Sequence, residues 1–304
     1  MSISAVIPVY NGAATLRQAL DSILEQSVDG LELLVIDDAS TDGSQPILLE
    51  YAARDRRVTT LANERNIGLA ATLNRGLERA RHELVARMDQ DDESLPGRLE
   101  LQLGFMAENP GVVAAGSFVF NMGRTPRYDR LVQLPVTPRD VARTLPRQNC
   151  LYHPSVVLRR SAVLEAGGYR AEFRNAEDYE LWLRLSRRHD LANIPLPLLR
   201  YRISPGGMTL ARKWEQLYYV TLAQWVYRAP RLSLTEAAER ASADLARVDR
   251  PLFMEQVATA AVTELAQLAL WDDALRVLLS LRRDLRPRSL ASLAAVILRE
   301  LRSR

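Results

Sequence analysis

Two carboxylates at alternate positions, Asp89 and Asp91, follow an apolar run that ends at Met88. A hard divalent cation such as Mg²⁺ or Mn²⁺ takes one or two protein carboxylates and fills its other positions with water and phosphate oxygens. The alternative is an acidic turn in which Asp92 and Glu93 complement the dipole of the next helix, and we assign Glu93 to that role. We interpret Asp89 and Asp91 as a site for Mg²⁺ or Mn²⁺ that would hold a phosphorylated ligand.

The residues around this acidic pair predict the sheet that would position it. Four apolar runs alternate with three helical patterns, which is typical of a parallel sheet covered by helices. These runs and helical patterns lie at residues 3–9, 14–26, 33–36, 44–54, 57–61, 69–80 and 84–88. In such a sheet, ligands bind at the carboxyl ends of the strands, because helix N-termini and unpaired backbone groups converge there.

Polar residues follow each of the four apolar runs. The four polar clusters lie at residues 8–12, 37–44, 63–68 and 89–92. Taken singly, each cluster could be a turn or a helix cap, but their joint placement predicts one ligand site at one edge of the sheet. The sequence contains neither the glycine-rich dinucleotide fingerprint nor the P-loop pattern, so a metal is expected to neutralise any phosphate.

The rest of the chain predicts further mixed structure and then a helical region. Helices and strands are predicted at residues 96–108, 112–120, 155–158, 161–166 and 177–188. Asp178 lies in the first turn of the last helix, where an ionised carboxylate could act as a base or simply stabilise the helix. From about residue 211 the pattern is almost wholly helical, so a domain boundary is predicted near residues 204–207.

The composition argues against a disordered, a collagen-like or a disulfide-stapled protein. Hydrophobic residues make up 47% and charged residues 25% of the 304, which is typical of a globular protein. The basic residues are arginines except for Lys213, and they concentrate after residue 276, so nucleic acid is not expected as a partner. The single cysteine, Cys150, is expected to be inert, and a cytoplasmic location is expected because no signal-peptide pattern opens the chain.

The last helical pattern, at residues 289–302, has one apolar stripe and several arginines. The stripe consists of Leu290, Leu293, Ala294, Ile297 and Leu301. Such a helix could lie on the inner face of a cell membrane, form a homodimer or pack on neighbouring helices, and we expect the packed arrangement. Every apolar run falls short of the ~20 residues that span a bilayer, so any membrane contact would be peripheral.

The ordered set of motifs resembles glycosyltransferase family 2, over about residues 2–209. The matching segments lie at residues 7–12, 35–44, 63–80, 87–92, 153–155, 167–169 and 177–182. The resemblance implies an α/β GT-A fold, in which a Rossmann-like, mostly parallel sheet is flanked by helices, with a C-terminal helical extension. It also implies transfer of a sugar, with inversion, from a nucleoside-diphosphate sugar to an acceptor hydroxyl with Mg²⁺ or Mn²⁺.

The same resemblance implies a more specific reaction and a domain organisation. UDP- and dTDP-sugars are the expected donors, and the expected acceptor is a glycan or lipid-linked glycan in synthesis of a bacterial surface polysaccharide or O-antigen. The catalytic domain would span residues 1–207, with a nucleotide-sugar-binding half at 1–120 and an acceptor-side half at 121–207. Residues 208–304 would form the helical C-terminal region.

Individual residues acquire roles from the resemblance. The donor would be bound by Pro8, Val9, Tyr10, Asn11, Asp38, Asn66, Asn74, Asp89 and Arg202. Asp91 would be the direct metal ligand, Asp89 would face the ribose or donor sugar beside it, and Asp178 would be the general base. Displacement at the anomeric carbon needs a stabilised leaving diphosphate, a base for the acceptor proton and in-line placement of both substrates.

Two segments depart from the family pattern. Processive polysaccharide synthases carry a Gln-x-x-Arg-Trp element after this point, and its absence here favours transfer of a single sugar. Many relatives place a histidine shortly after Tyr-Arg, whereas Ile203 follows Arg202 in this chain. Arg202 or a lid at Gly206-Gly207 could take over the diphosphate contact, although the glycine pair could also be a linker. His153 would line the acceptor side or cap a loop.

Two other functions fit parts of the sequence. A metal-dependent nucleotidyltransferase would need a glycine-rich and basic loop after the first strand, and residues 10–13 offer none. A catalytically weak sugar-nucleotide-binding scaffold, acting through its helical tail, would suit a degraded acidic cluster. Asp89, Asp91 and Asp178 are all present, which favours the enzyme.

Overall fold

The structure of the chain, a computed structural model, describes residues 1–203, 210–280 and 287–302. It divides into two compact units. The first unit contains Met1–Phe120, Leu131–Phe173 and Glu177–Tyr201, and the second contains Asn121–Arg130, Arg174–Ala176 and Arg202–Arg304. The boundary predicted near residues 204–207 and the Gly206-Gly207 lid lie outside the described residues.

The strands and helices alternate through the first half of the chain. The strands are β1 (Ser2–Val9), β2 (Gly30–Asp37), β3 (Val58–Ala62), β4 (Leu84–Arg87), β5 (Glu93–Ser94), β6 (Val112–Asn121), β7 (Arg130–Val132), β8 (Val157–Arg159) and β9 (Asp190–Tyr201). The helices of this part are α1 (Leu16–Leu24), α2 (Ser44–Arg54), α3 (Leu69–Arg79), α4 (Arg98–Glu108), α5 (Pro138–Thr144), α6 (Arg160–Glu165) and α7 (Glu177–Leu185). Short 3-10 turns occupy Pro126–Tyr128 and His153–Ser155.

The sheet is mixed, with strand order β3-β2-β1-β4-β8-β6-β9-β5. The four strands of the first half are parallel, as the alternating pattern predicts. The strands of the second half add antiparallel pairs, because β8 runs against both β4 and β6 and β5 runs against β9. The predicted GT-A arrangement is thus a parallel half that carries the polar strand ends and an antiparallel half that extends it.

The register aligns the strand ends that the sequence predicts to form a site. Val9 lies opposite Asp37, and Asp37 lies opposite Ala62. The backbone N–H of Asp38 continues the ladder by donating to the Val9 carbonyl at 2.7 Å. Because β1, β2 and β3 end together, the polar loops after them meet at one edge of the sheet.

Apolar burial on both faces holds this sheet in place. From Ile3 onward, the side chains of β1 are buried, as expected for a central strand covered by helices on both sides. The helix α3 approaches the sheet closely at Gly76, where an added Cβ would lie 2.6 Å from Val6 Cγ1. The strand ends therefore sit on a rigid support.

The segment after the acidic cluster differs from the prediction. Glu93 does not cap a helix; it lies in β5 opposite Arg200 of β9 and forms an ion pair with it. The helix α4 begins only at Arg98, after the left-handed Gly97 with φ of 77°. Cross-strand pairing with a distant segment thus overrides the helix-dipole interpretation of Glu93.

The second unit contains a group of helices. They are α8 (Leu210–Arg228), α9 (Leu234–Leu245), α10 (Arg250–Gln267), α11 (Trp271–Ser280) and α12 (Pro287–Arg302). Leu293 and Ile297 of α12 are buried in one apolar cluster with residues of α10 and α11, and Leu290 and Ala294 pack against it. This favours the packed arrangement of the last helix, while membrane contact and a homodimer remain predictions. Over the described residues, every helix is too short or too polar to cross a membrane.

Candidate active site

Three aspartates follow β4 at the edge where the strands end. One carboxylate oxygen from each of Asp89, Asp91 and Asp92 lies within 4.8 Å of the other two. Hard carboxylate oxygens in such a cluster are the ligands that Mg²⁺ and Mn²⁺ prefer. The predicted pair is therefore joined by Asp92, which the sequence pattern does not distinguish from an ordinary helix-capping acid. The residues present fit a divalent cation.

Arg87, the last residue of β4, clamps the first of these aspartates. Its Nη1 donates to Asp89 Oδ2 and its Nη2 lies by Asp89 Oδ1, both at 2.6 Å. The Arg87 side chain is 3% exposed and that of Asp89 is 30% exposed. Burial opposes the charge of Arg87, but the adjacent Asp89 carboxylate leaves its pKa above the ordinary value. This bidentate fork fixes the plane of the Asp89 carboxylate, and the role of Asp91 as the direct metal ligand stays a prediction.

Gln90, between the two predicted metal ligands, ties this loop to the end of β1. Its Oε1 accepts from the Tyr10 N–H at 2.8 Å, and its Nε2 donates to the Tyr10 carbonyl at 3.0 Å. The side-chain amide thus pairs with the backbone as a neighbouring strand would. Thr15 also donates to the Gln90 carbonyl at 3.1 Å, and Gly12 leaves room for the Gln90 side chain.

The substitution Gln90→Ala is expected to raise the KM for the nucleotide-sugar donor about 5- to 10-fold, since two hydrogen bonds that hold the Tyr10 backbone are lost. Steady-state kinetics at saturating metal measure this. Gln90→Glu is the matched control: it keeps an acceptor for the Tyr10 N–H but sets an oxygen against the Tyr10 carbonyl. We expect a KM at least as high for this variant. A KM unchanged in both variants would show that the cross-loop pair does not support donor binding.

The loops after β1 and β2 close on each other through the predicted donor residues. Asn11, which has a positive φ of 53°, accepts from the Thr41 N–H at 2.7 Å. Its own N–H donates to Ser40 Oγ at 2.9 Å. Pro8 and Val9 are buried in β1, whereas the Tyr10 side chain is 47% exposed. This leaves the Tyr10 ring open to a ligand at the strand end.

Asp38 organises the loop between β3 and α3. Its Oδ1 accepts from Asn63 Nδ2 at 2.7 Å and from the Ile67 N–H at 2.8 Å, and its Oδ2 accepts from the Gly68 N–H at 2.9 Å. A carboxylate has about four acceptor positions, so roughly one position on Oδ2 remains for a ligand. Asn66 is exposed in the same loop.

Asn74 on α3 is bonded to the Tyr169 backbone, in the part of the chain that the sequence predicts to face the acceptor. Its Nδ2 donates to the Tyr169 carbonyl at 2.8 Å, and its Oδ1 accepts from the Tyr169 N–H at 2.7 Å. Gly168 has a positive φ of 69°, and an added Cβ there would lie 2.5 Å from Asn74 Oδ1. The amide therefore fixes the Tyr169 backbone, and donor contact by Asn74 stays a prediction.

Asp178, the predicted base, lies in the first turn of α7. Its Oδ2 accepts from Asn149 Nδ2 at 2.9 Å and its Oδ1 from the Tyr179 N–H at 2.7 Å. Burial raises the pKa of Asp178 above its ordinary value, against the opposing effect of these two hydrogen bonds. Burial and the neighbouring Asp178 charge raise the pKa of Glu177 to about 7. A carboxylate with a raised pKa is a stronger proton acceptor, which suits a general base better than a helix-stabilising acid.

The raised pKa of Glu177 predicts a loss of stability with rising pH. The unfolded chain releases this proton near pH 4.5 and the folded chain near pH 7, so the contribution of Glu177 is full below pH 4.5 and is lost as the pH rises to about 7. Relative to wild type, Glu177→Gln should gain roughly 3 kcal/mol between pH 4.5 and pH 8. Thermal unfolding of both proteins at these two pH values, without metal, measures this. An equal difference at both values would contradict the shift.

His153 and Tyr169 form a buried hydrogen-bonded pair. His153 Nε2 and Tyr169 Oη are 2.8 Å apart, and His153 is 7% exposed. Burial and then the charge of Arg87 lower the pKa of His153 well below its ordinary value, so its imidazole is neutral. The Trp182 ring meets it edge-on. These contacts favour the loop-supporting interpretation of His153 over an acceptor-binding one.

Two further predictions concern residues away from these clusters. Cys150 is buried, and burial raises the pKa of its thiol to about 12, which agrees with an inert residue. Arg202 follows β9 and falls in the second unit, so its predicted diphosphate contact stays a prediction. A cavity of about 560 Å³ in the second unit is lined mainly by polar residues of α10, and none of the predicted site residues lines it.

Comparison with known proteins agrees with this geometry. The sequence profile of the family described as glycosyl transferase family 2 matches residues 4–168, more than half of the chain. The amylovoran biosynthesis glycosyltransferase AmsE of Erwinia amylovora is 34% identical over 72% of this chain and 85% of its own. The UDP-Glc:alpha-D-GlcNAc-diphosphoundecaprenol beta-1,3-glucosyltransferase WfgD of Escherichia coli is 28% identical over 71% of this chain and 85% of its own.

Solved structures share the fold. Residues 1–349 of Staphylococcus aureus TarS in complex with UDP superpose with a TM-score of 0.60 at 17% identity, over 99% of this chain and 89% of that one. The mannosyltransferase PcManGT of Pyrobaculum calidifontis, in complex with GDP-Man and Mn²⁺, gives a TM-score of 0.60 at 20% identity, over 98% of this chain and 86% of that one. At these identities the likeness establishes the architecture.

Proposed function

This chain belongs to glycosyl transferase family 2 and has the GT-A fold, and we propose that it transfers a single sugar, with inversion, from a nucleoside-diphosphate sugar to an acceptor hydroxyl. The observation that carries the proposal is the cluster of Asp89, Asp91 and Asp92 at the carboxyl end of β4. Asp178, which is half-buried in the first turn of α7, is proposed to supply the second chemical group that the reaction needs.

Asp178 is proposed to accept the proton of the acceptor hydroxyl as its oxygen attacks the anomeric carbon. The bond from that carbon to the diphosphate oxygen breaks on the opposite face, so the configuration inverts and the nucleoside diphosphate leaves. Asn149 and the Tyr179 N–H hold the two oxygens of Asp178 and orient it for this transfer. The second proton-binding group, Glu177, lies beside it.

Asp91 and Asp92 would hold a divalent cation, and that ion would supply positive charge to the leaving diphosphate. Asp89, fixed by Arg87, is proposed to accept hydrogen bonds from the ribose or the donor sugar. At the other end of the donor, Asp38 offers its remaining acceptor position to an N–H of the base, and the exposed Tyr10 ring offers a face for stacking. The N3–H of uracil or thymine fits such an acceptor, so UDP- or dTDP-sugars are the proposed donors.

The acceptor is proposed to be a glycan or a lipid-linked glycan of a bacterial surface polysaccharide or O-antigen. Support comes from the relatives, whose names refer to amylovoran biosynthesis and to an undecaprenol diphosphate acceptor. A cytoplasmic location accompanies this proposal as an expectation, and contact of α12 with a membrane and a homodimer are the alternatives to its packed arrangement.

The test is release of nucleoside diphosphate from a panel of UDP-, dTDP- and GDP-sugars with Mg²⁺, with Mn²⁺ and with a chelator. We expect a uridine or thymidine donor to be consumed only with metal. For a transferred sugar, NMR of the product linkage should show the anomeric configuration opposite to that of the donor. If donors are bound but none is consumed in any condition, the proposed reaction is wrong, and the sugar-nucleotide-binding scaffold that acts through its helical tail takes its place.

A further inference from the structure

Arg87 is the buried cation shared by the two halves of the candidate active site. It stands at the end of β4, and both of its Nη atoms meet the oxygens of Asp89 at 2.6 Å. Among the described residues, its buried Nε has no hydrogen-bond partner. The side-chain hydrogen bonds of this guanidinium are thus directed at one donor-side carboxylate and not at the backbone.

The charge of Arg87 also reaches the acceptor-side residues. It lowers the pKa of Glu177, of Asp178 and of Tyr169, against the burial that raises each of them. It lowers the pKa of His153 together with burial. The carboxylates of α7 therefore keep part of their acidity because of a cation on a different element, β4.

A second buried arginine, Arg98, has a structural role that differs from that of Arg87. Arg98 at the start of α4 donates through Nη2 to the backbone carbonyls of Arg87 and Pro154, at 2.8 and 2.9 Å. Its Nε donates to Gln102 Oε1 at 3.2 Å. Arg98 joins segments of the chain. Arg87 instead binds the Asp89 carboxylate, and its charge lowers the pKa of Glu177 and Asp178 on α7.

We propose that Arg87 is a positioning residue whose fork orients Asp89 toward the donor; this inference rests on the proposed glycosyl transfer. The effect depends on the planar two-pronged shape of a guanidinium. A lysine at this position keeps the positive charge but loses the fork.

The substitutions Arg87→Lys and Arg87→Gln test this dependence on shape. In both, the donor KM is expected to rise about 10-fold, because the fork to Asp89 is lost. The kcat of each variant should stay within about threefold of wild type, because the proposed effect is on donor binding. Calorimetric titration with the nucleoside diphosphate and Mn²⁺ gives the affinity without turnover.

A double substitution tests whether the KM effect passes through Asp89. In an Asp89→Asn background, Arg87→Lys should add less than about twofold to the KM, since the partner of the fork is already altered. Additive increases would overturn the assignment. If the Arg87 variants do not fold, the Asp89→Asn protein tests the same contact. It alters the fork at Asp89, whose side chain is more exposed than that of Arg87.

Arg159→Gln is the matched control. Arg159 is a half-buried arginine of β8 that donates to the Val112 and Met106 carbonyls, and it pairs with Leu84 at the opposite end of β4. Its kinetics should stay near wild type after correction for folded protein. Arg87 variants that behave like Arg159→Gln, or variants whose kcat falls while the donor KM stays unchanged, would overturn the inference alone. A wild-type chain that neither binds nor consumes a donor would overturn it together with the proposed function.

Discussion

Replacing Asp178 with asparagine is expected to lower kcat about 10³-fold, within the range that loss of a general base produces. The amide keeps the shape of the carboxylate and an oxygen that accepts from Asn149 or the Tyr179 N–H, but it does not take up the acceptor proton. Donor affinity should stay within about threefold of wild type, since Asp178 is proposed to act on the acceptor and not on the donor. Single-turnover kinetics and calorimetric titration of the nucleoside diphosphate measure the two quantities separately.

Glu177→Gln is the matched control for this prediction. Glu177 is the adjacent acid on the same helical turn, and it is buried with a pKa of about 7. Its loss should change kcat by less than about 10-fold, because it perturbs Asp178 only through its charge. If Glu177→Gln has the larger effect, the base is Glu177. If both variants keep wild-type turnover, the proton leaves by a route that α7 does not provide.

Much of the parallel half of the fold follows from sequence periodicity. Runs of apolar residues predict β1 to β4, and the polar residues after them predict which edge carries the site. The register between Val9 and Asp37, and between Asp37 and Ala62, brings those loops together as expected. This succeeds because central parallel strands are buried on both faces and read as continuous apolar runs.

Other elements are not encoded in local patterns. The strand β9 contains Pro195 and Pro197, and proline within a run argues against a strand. The short strand β5 exists only through its pairing with β9. Both depend on partners about a hundred residues apart in sequence, which a local pattern does not reveal.

The supporting residues of the site are hidden from sequence for the same reason. Arg87 precedes the predicted metal ligands and Gln90 lies between them. Their contribution depends on the direction of their side chains, because Arg87 contacts Asp89 and Gln90 contacts the Tyr10 backbone. A signal does exist for Arg87, since a charged residue at the end of a fully apolar strand must have a buried partner. The nearest acid along the chain is Asp89.

Replacing Asp91 with alanine is the second substitution expected to have a large effect. The variant should lose metal-dependent donor turnover by about 10³-fold or more, because the leaving diphosphate loses the cation that stabilises it. In contrast to Asp178→Asn, donor affinity should fall as well, since the ion would join the protein to the diphosphate. The comparison of the two variants therefore separates metal binding from proton transfer.

Unfolding provides a readout of Asp91→Ala that does not depend on activity. Three carboxylates whose oxygens lie within 4.8 Å repel one another without a cation, so removing one of them should relieve part of that repulsion in the metal-free protein. Added Mn²⁺ should raise the Tm of wild type by binding the folded state, and should raise that of the variant much less.

Asp55→Ala is the control for this metal titration. Asp55 is paired with Arg57 just before β3, at the opposite end of the strands from Asp91. Its loss should lower stability slightly but leave the Mn²⁺ response of the Tm at the wild-type value. If the Asp91→Ala protein keeps the full Mn²⁺ response and full turnover, this cluster does not bind the cation. Asp89 and Asp92 would then face the donor as carboxylates without a cation. Their negative charge would repel the diphosphate and weaken donor binding, so this outcome is not the expected one.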